Sequence, residues 1–186
     1  MPEAISDYVP QFARGGGSAR RARRARAAWG AALGCAAGLV GLIVAAPLLK
    51  AGGWPAAADA VYKGFGLVCH QMGARAFRVA GEPFAVCARC FGLYAGALAG
   101  VAAYPLSRPL LRRDFPARAW LFAAAVPTTV DFALGFFGVW ENTHASRFLT
   151  ALPLGVAVAF CAVPGLVDLS LSPPRQSLRP GLPREG

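Results

Sequence analysis

Acidic residues are scarce in this 186-residue chain: nine Asp and Glu stand against nineteen Lys and Arg, a net charge of +10. Histidine occurs twice, and cysteine five times. An odd number of cysteines argues against a closed disulfide framework. No Ser/His/Asp order, phosphate-cradling glycine loop or pair of inward carboxylates is present, which removes the usual grounds for a hydrolase or nucleotide-binding reading. Charge is missing altogether from AAWGAALGCAAGLVGLIVAAPLL, residues 27–49.

Apolar residues fill that space. They make up 56% of the chain, and the mean hydropathy is +0.46, too apolar for a soluble domain that must show water a charged surface. Seventeen of the nineteen basic residues are Arg, a bias expected of GC-rich bacterial coding, and they fall in blocks between apolar runs. A soluble nucleic-acid binder would spread them over amphipathic elements, so no specific nucleic-acid partner is expected. Blocks of this kind are membrane topology signals.

The expected fold is an all-α integral membrane protein with four transmembrane helices and lipid as its first partner. Residues 27–49 span about 35 Å at helical rise, enough to cross a hydrocarbon core with some tilt. Further spans are expected at about 84–106, 120–139 and 148–171. Residues 1–26, with ARRARRAR, read as a disordered basic tail, and the proline-rich 172–186 as a second disordered tail. Between the first two spans lies segment 50–83. There Trp54 and Pro55 open a short interfacial helix with Ala57, Val61, Gly64, Phe65 and Val68 on one face.

Six basic residues lie in the N-terminal tail, four in the 107–119 loop and three in the C-terminal tail. The positive-inside rule therefore puts both termini in the cytoplasm and faces 50–83 and 140–147 outward. The expected location is a bacterial inner membrane.

Two spans carry glycine at every fourth position: Gly30, Gly34 and Gly38, then Gly92, Gly96 and Gly100. Such faces let helix backbones approach closely in lipid. They are expected to pack span one on span two, with a homodimer through the same Gly-x3-Gly faces as the alternative. Arg89 and Asp131 lie inside spans, about 8 and 12 Å from the outer ends. Ionised groups at that depth are expected to pair.

The chemistry-bearing residues gather on the outer side. Cys69, His70, Cys87 and Cys90 form C-H-x16-C-x2-C at the doorstep of span two. Three thiolates and an imidazole suit zinc or ferrous iron. Adjacent residues do not easily both ligate one ion from a continuous helix, so His70 is ligand or near neighbour, with His144 or Glu141 as a substitute fourth ligand. The redox alternative has Cys87 and Cys90 cycling between dithiol and disulfide, Arg89 favouring the thiolate and a lipid-soluble quinone taking the electrons. No βαβ pattern surrounds the motif, which argues against a thioredoxin-type site, and Phe91 stands where haem attachment needs His. A third reading makes the protein a small carrier or assembly subunit whose cysteines only brace the fold. Arg75, Arg89, Asp131, Glu141, His144 and Arg147 are the further candidates for supporting the site or holding a substrate. No reaction is disclosed, so whether the protein is an enzyme stays open.

The order CH…R.F…G…CARC.G.Y.G followed by D…E…R resembles the bacterial membrane proteins grouped as domain-of-unknown-function family 2085. The matching positions include Cys69, His70, Arg75, Phe77, Gly81, Cys87, Arg89, Cys90, Gly92, Tyr94, Gly96, Asp131, Glu141 and Arg147. His144 stands where Asn is usual in that family and Gly135 where Gln is usual, which alters the polar wall of the expected site. The resemblance implies a membrane protein and no particular activity.

Overall fold

The computed structural model describes residues 11–111 and 118–172. Most of the expected C-terminal tail and part of the 107–119 loop lie outside these residues. The chain forms α1 (Gln11–Ala51), α2 (Pro55–Gly66), a 3-10 turn (Gly73–Arg75), a two-stranded hairpin of β1 (Arg78–Val79) and β2 (Glu82–Pro83), α3 (Ala88–Ser107), α4 (Arg118–Phe136) and α5 (His144–Leu171). Among the described residues, four segments are long and apolar enough to cross a membrane: Gly17–Ala51, Ala88–Ser107, Ala119–Phe136 and His144–Leu171.

The boundaries differ from expectation for local reasons. The helix of span one already begins at Gln11, so the arginine run lies on α1 rather than in a disordered tail, and Ala25 within it is buried against α3 and α5. Span two starts at Ala88 because Phe84–Val86 are buried in the approach to the helix and Cys87 is its extended N-cap. Span three stops at Phe136 ahead of a turn through Gly138, whose φ of +69° favours glycine. Span four starts early because the Thr143 hydroxyl accepts the Ser146 N–H at 3.0 Å. The interfacial helix α2 is present, with Pro55 in its first turn, but it rests on Ala58 and Phe65; Val68 is exposed.

The glycine face of α3 meets α5, not α1. A Cβ on Gly92 would lie 2.4 Å from the Phe148 carbonyl oxygen, and one on Gly96 would lie 2.2 Å from that of Leu152. On α5 the answering stripe is Ala151, Gly155 and Ala159, small residues at the same spacing, so two flat faces meet. Gly30, Gly34 and Gly38 of α1 have nothing within 4 Å where a Cβ would sit. The expected pairing of spans one and two through both glycine faces is therefore not how the helices pack.

Prolines within the helices supply the other contacts. Proline has no N–H, so Pro47 frees the Ile43 carbonyl and Pro105 frees that of Val101. The first accepts the Ala85 N–H at 3.4 Å, which pins the approach to α3 against α1. The second accepts the Trp29 indole N–H at 2.8 Å, which joins α1 to α3 at the far end. Buried carbonyls without partners are costly, and both find donors on a neighbouring segment.

Candidate metal centre

Three chain segments converge at the end of the bundle where α1 ends and α3 begins. Cys69 follows the last turn of α2, its N–H bonded to the Phe65 carbonyl at 2.9 Å. Gln71 then reverses the chain in the left-handed region, at φ +46°. Its side-chain amide donates to the Tyr62 carbonyl at 2.6 Å and the Ala85 carbonyl at 2.8 Å, fastening the end of α2 to the approach to α3. The Tyr62 hydroxyl donates to the Pro83 carbonyl. The hairpin turns through Ala80 (φ +52°) and Gly81 (φ +81°), the pair of positive values a tight two-residue turn needs.

These bonds bring Cys69 beside Cys87 and Cys90, whose spacing already puts them on adjoining positions of one helix start. The sulfurs of all three lie within 4.8 Å of one another. Cys69 is buried, and its sulfur accepts the backbone N–H groups of Cys87 (3.3 Å) and Gln71 (3.5 Å). Cys87 caps α3, and its thiol is lowered to about 5 by a hydrogen bond from the Cys90 thiol, with further help from the Cys90 and Arg89 backbone N–H groups and from Cys69; burial opposes the shift. All five cysteines are free, and Cys35 and Cys161 lie elsewhere, on α1 and α5.

The other expected ligands do not join the sulfurs. His70 is exposed and outside the group, because the chain reverses immediately after it. His144 lies against Phe77, ring centroids 5.7 Å apart, as part of an aromatic cluster with Phe84, Phe91 and Phe148. Glu141 is exposed and likewise outside the group. The set is thus three sulfurs, not three sulfurs and an imidazole.

Arg89 and Asp131 form the expected ion pair between α3 and α4. The Asn142 side-chain amide donates to the Asp131 backbone carbonyl. Arg75, Arg89 and Arg147 line one small cavity beside this pair, with Asn142, Gly135, Phe132 and Phe136. Gln71 was missed by sequence reasoning, and no motif marks it. The hairpin was missed because Ala-Gly is a weaker turn signal than Asn-Gly or Asp-Gly.

A family model described as a predicted membrane protein (DUF2085) matches residues 69–161. The protein belongs to this family. The matched span of this DUF2085 member begins at Cys69 and takes in all three clustered cysteines, Asp131 and Arg147. An uncharacterised protein of Methanocaldococcus jannaschii is 36% identical over 111 residues, 60% of this chain and 71% of its own. One from Methanothermobacter thermautotrophicus is 34% identical over 97 residues, 51% of this chain and 84% of its own. No solved structure matches. Both relatives are archaeal, so the restriction to bacteria expected from the sequence is not supported.

Proposed function

We propose that this DUF2085 protein is a multi-pass membrane metalloprotein that holds one zinc or ferrous ion through Cys69, Cys87 and Cys90. The observation that carries this reading is the convergence of three sulfurs from two separated segments within 4.8 Å. Tetrahedral zinc with Zn–S bonds of about 2.3 Å needs sulfurs about 3.8 Å apart, so a contraction of at most about 1 Å would bring the three sulfurs onto three of its four positions. The Cys69 sulfur faces two backbone N–H donors, and the lowered Cys87 thiol favours the ionised ligand that a metal requires. No fourth His, Cys, Asp or Glu belongs to the group among the described residues. A metal there would keep one position open to water or substrate, as catalytic zinc sites do.

A specific observation also favours the redox reading: Cys87, its thiol lowered to about 5, stands three residues from Cys90 with the two sulfurs within 4.8 Å. Oxidation of a Cys87 thiolate and a Cys90 thiol to a disulfide would release two electrons and one proton; reducing one quinone to a quinol with them takes its second proton from water. Metal analysis of protein purified without chelator, combined with thiol titration, separates the two. The expected result is about one metal per chain, lost in Cys87→Ser and Cys69→Ser, with three additional titratable thiols on metal removal. Metal-free protein in which two thiols appear only after reduction would overturn the metal reading in favour of the redox one.

The site is further proposed to face outward. Thirteen of the nineteen basic residues lie at or beyond the opposite ends of the spans. A reporter domain active only in the cytoplasm, fused after Gly186, is expected to be active. Silence of that fusion, with activity from one inserted at Gly81, would reverse the orientation.

A further inference from the structure

The cavity lined by Arg75, Arg89 and Arg147 carries an inference that does not depend on the sulfurs. It has a volume of about 100 Å³, roughly the space of three liquid waters, and so suits a small polyatomic ion rather than a drug-sized molecule. Three guanidiniums from three elements converge on it: Arg75 from the 3-10 turn, Arg89 from the first turn of α3 and Arg147 from the first turn of α5. One carboxylate, Asp131, offsets one of them. Arg75 and Arg147 have no carboxylate partner among the described residues. The cavity wall therefore carries a net charge of +2, at the end of a bundle where uncompensated charge is costly.

Two buried atoms on the same wall lack partners. The Arg89 Nε is a donor without a partner, while a terminal nitrogen of the same guanidinium holds Asp131. The Asn142 Oδ1 is an acceptor on a side chain that is 9% exposed. Its identity as oxygen follows from the neighbouring bond, because the other end of the amide must donate to the Asp131 carbonyl. An anion that fills the cavity accepts from several guanidinium N–H groups, and one that also donates a hydrogen bond satisfies the Asn142 Oδ1 once that side chain turns from Gly135 toward it. A carboxylate or a sulfate does the first and not the second. A phosphate that retains one P–OH does both.

We infer that this cavity binds a phosphate group, with Arg75, Arg89 and Arg147 on its charged oxygens and Asn142 accepting from its hydroxyl. Two sources share that chemistry: free inorganic phosphate and the monoester phosphate of a lipid such as phosphatidic acid. The position at the end of four membrane-spanning helices is within reach of both.

The test uses the full chain in phosphatidylcholine nanodiscs, titrated with inorganic phosphate by calorimetry and, in a second arm, reconstituted with graded phosphatidic acid. Saturable one-to-one binding of phosphate is expected, with sulfate weaker by about tenfold, the loss of one hydrogen bond to a buried group. Arg75→Gln and Arg147→Gln are each expected to weaken phosphate by about tenfold or more. Arg75 is exposed, so its replacement leaves folding intact and keeps the test decisive even if Arg147→Gln misfolds. If phosphatidic acid abolishes the phosphate heat in wild type and not in Arg75→Gln, the lipid headgroup is the ligand. If it leaves the heat unchanged, free phosphate is. Folded wild type that binds neither probe, or binding indifferent to Arg75→Gln, would overturn the inference.

Discussion

Gly96→Val is expected to be among the most damaging single substitutions in the membrane domain, with a loss of about 3 kcal/mol or more, the upper end of the overpacking range. The added Cβ would fall 2.2 Å from the Leu152 carbonyl oxygen, with the Gly155 Cα 3.1 Å away. Neither obstacle is the end of a flexible side chain. Both are backbone, so α3 and α5 must separate. Gly155 faces the same constraint from the other side, where a Cβ would lie 2.2 Å from the Leu93 carbonyl. Separation strips contacts along the whole seam, and in lipid those packing contacts are the main term holding helices together. The measurement is thermal or denaturant unfolding in detergent micelles. Gly34→Val, on the open stripe of α1, is the control and is expected to unfold like wild type. Equal stability of the two variants would contradict the packing described for α3 on α5.

The second large effect concerns Arg89 and Asp131. Asp131 is 7% exposed, and the Arg89 side chain is 24% exposed; the guanidinium also lies 5.5 Å from the Phe132 ring. Helix α4 otherwise packs chiefly on α5 and leaves Trp120, Phe122, Val126 and Phe136 exposed, as lipid-facing residues would be. The ion pair is thus what ties α4 to α3. Removing Asp131 leaves the Arg89 charge beside two further guanidiniums, and removing Arg89 leaves a buried carboxylate without its hydrogen-bonded partner. Arg89→Gln or Asp131→Asn is expected to cost about 3–5 kcal/mol. Exchanging the two residues, Arg89→Asp with Asp131→Arg, is expected to recover part of that loss, because charge balance returns while the contact with Phe132 and the exact reach do not. A double exchange no more stable than either single one would show that the pair contributes nothing.

Both expectations bear on how far residues alone disclose this molecule. Arg89 and Asp131 could be paired from the sequence because each lies at a computable depth in an apolar run, and an isolated charge there is costly whatever its neighbours. Cys87 and Cys90 could be paired because three residues at a helix start fix their separation. Cys69 joins these two sulfurs and its neighbour His70 does not, because Gln71 reverses the chain in the left-handed region and leaves the histidine in the open. His144 has the chemistry of a ligand, but its ring packs against Phe77 and not beside the sulfurs.

The number of spans and the charge asymmetry between their ends are written in composition and periodicity, since hydrocarbon thickness and backbone satisfaction admit few alternatives. Which helix meets which glycine face was decided only in three dimensions. Periodicity says that a face is flat; it does not name the partner, and lipid offers no hydrophobic gradient to choose one. The convergence of Arg75, Arg89 and Arg147 on one cavity belongs to the same class, because it depends on how three helix ends are rotated and on loops whose course no local rule dictates.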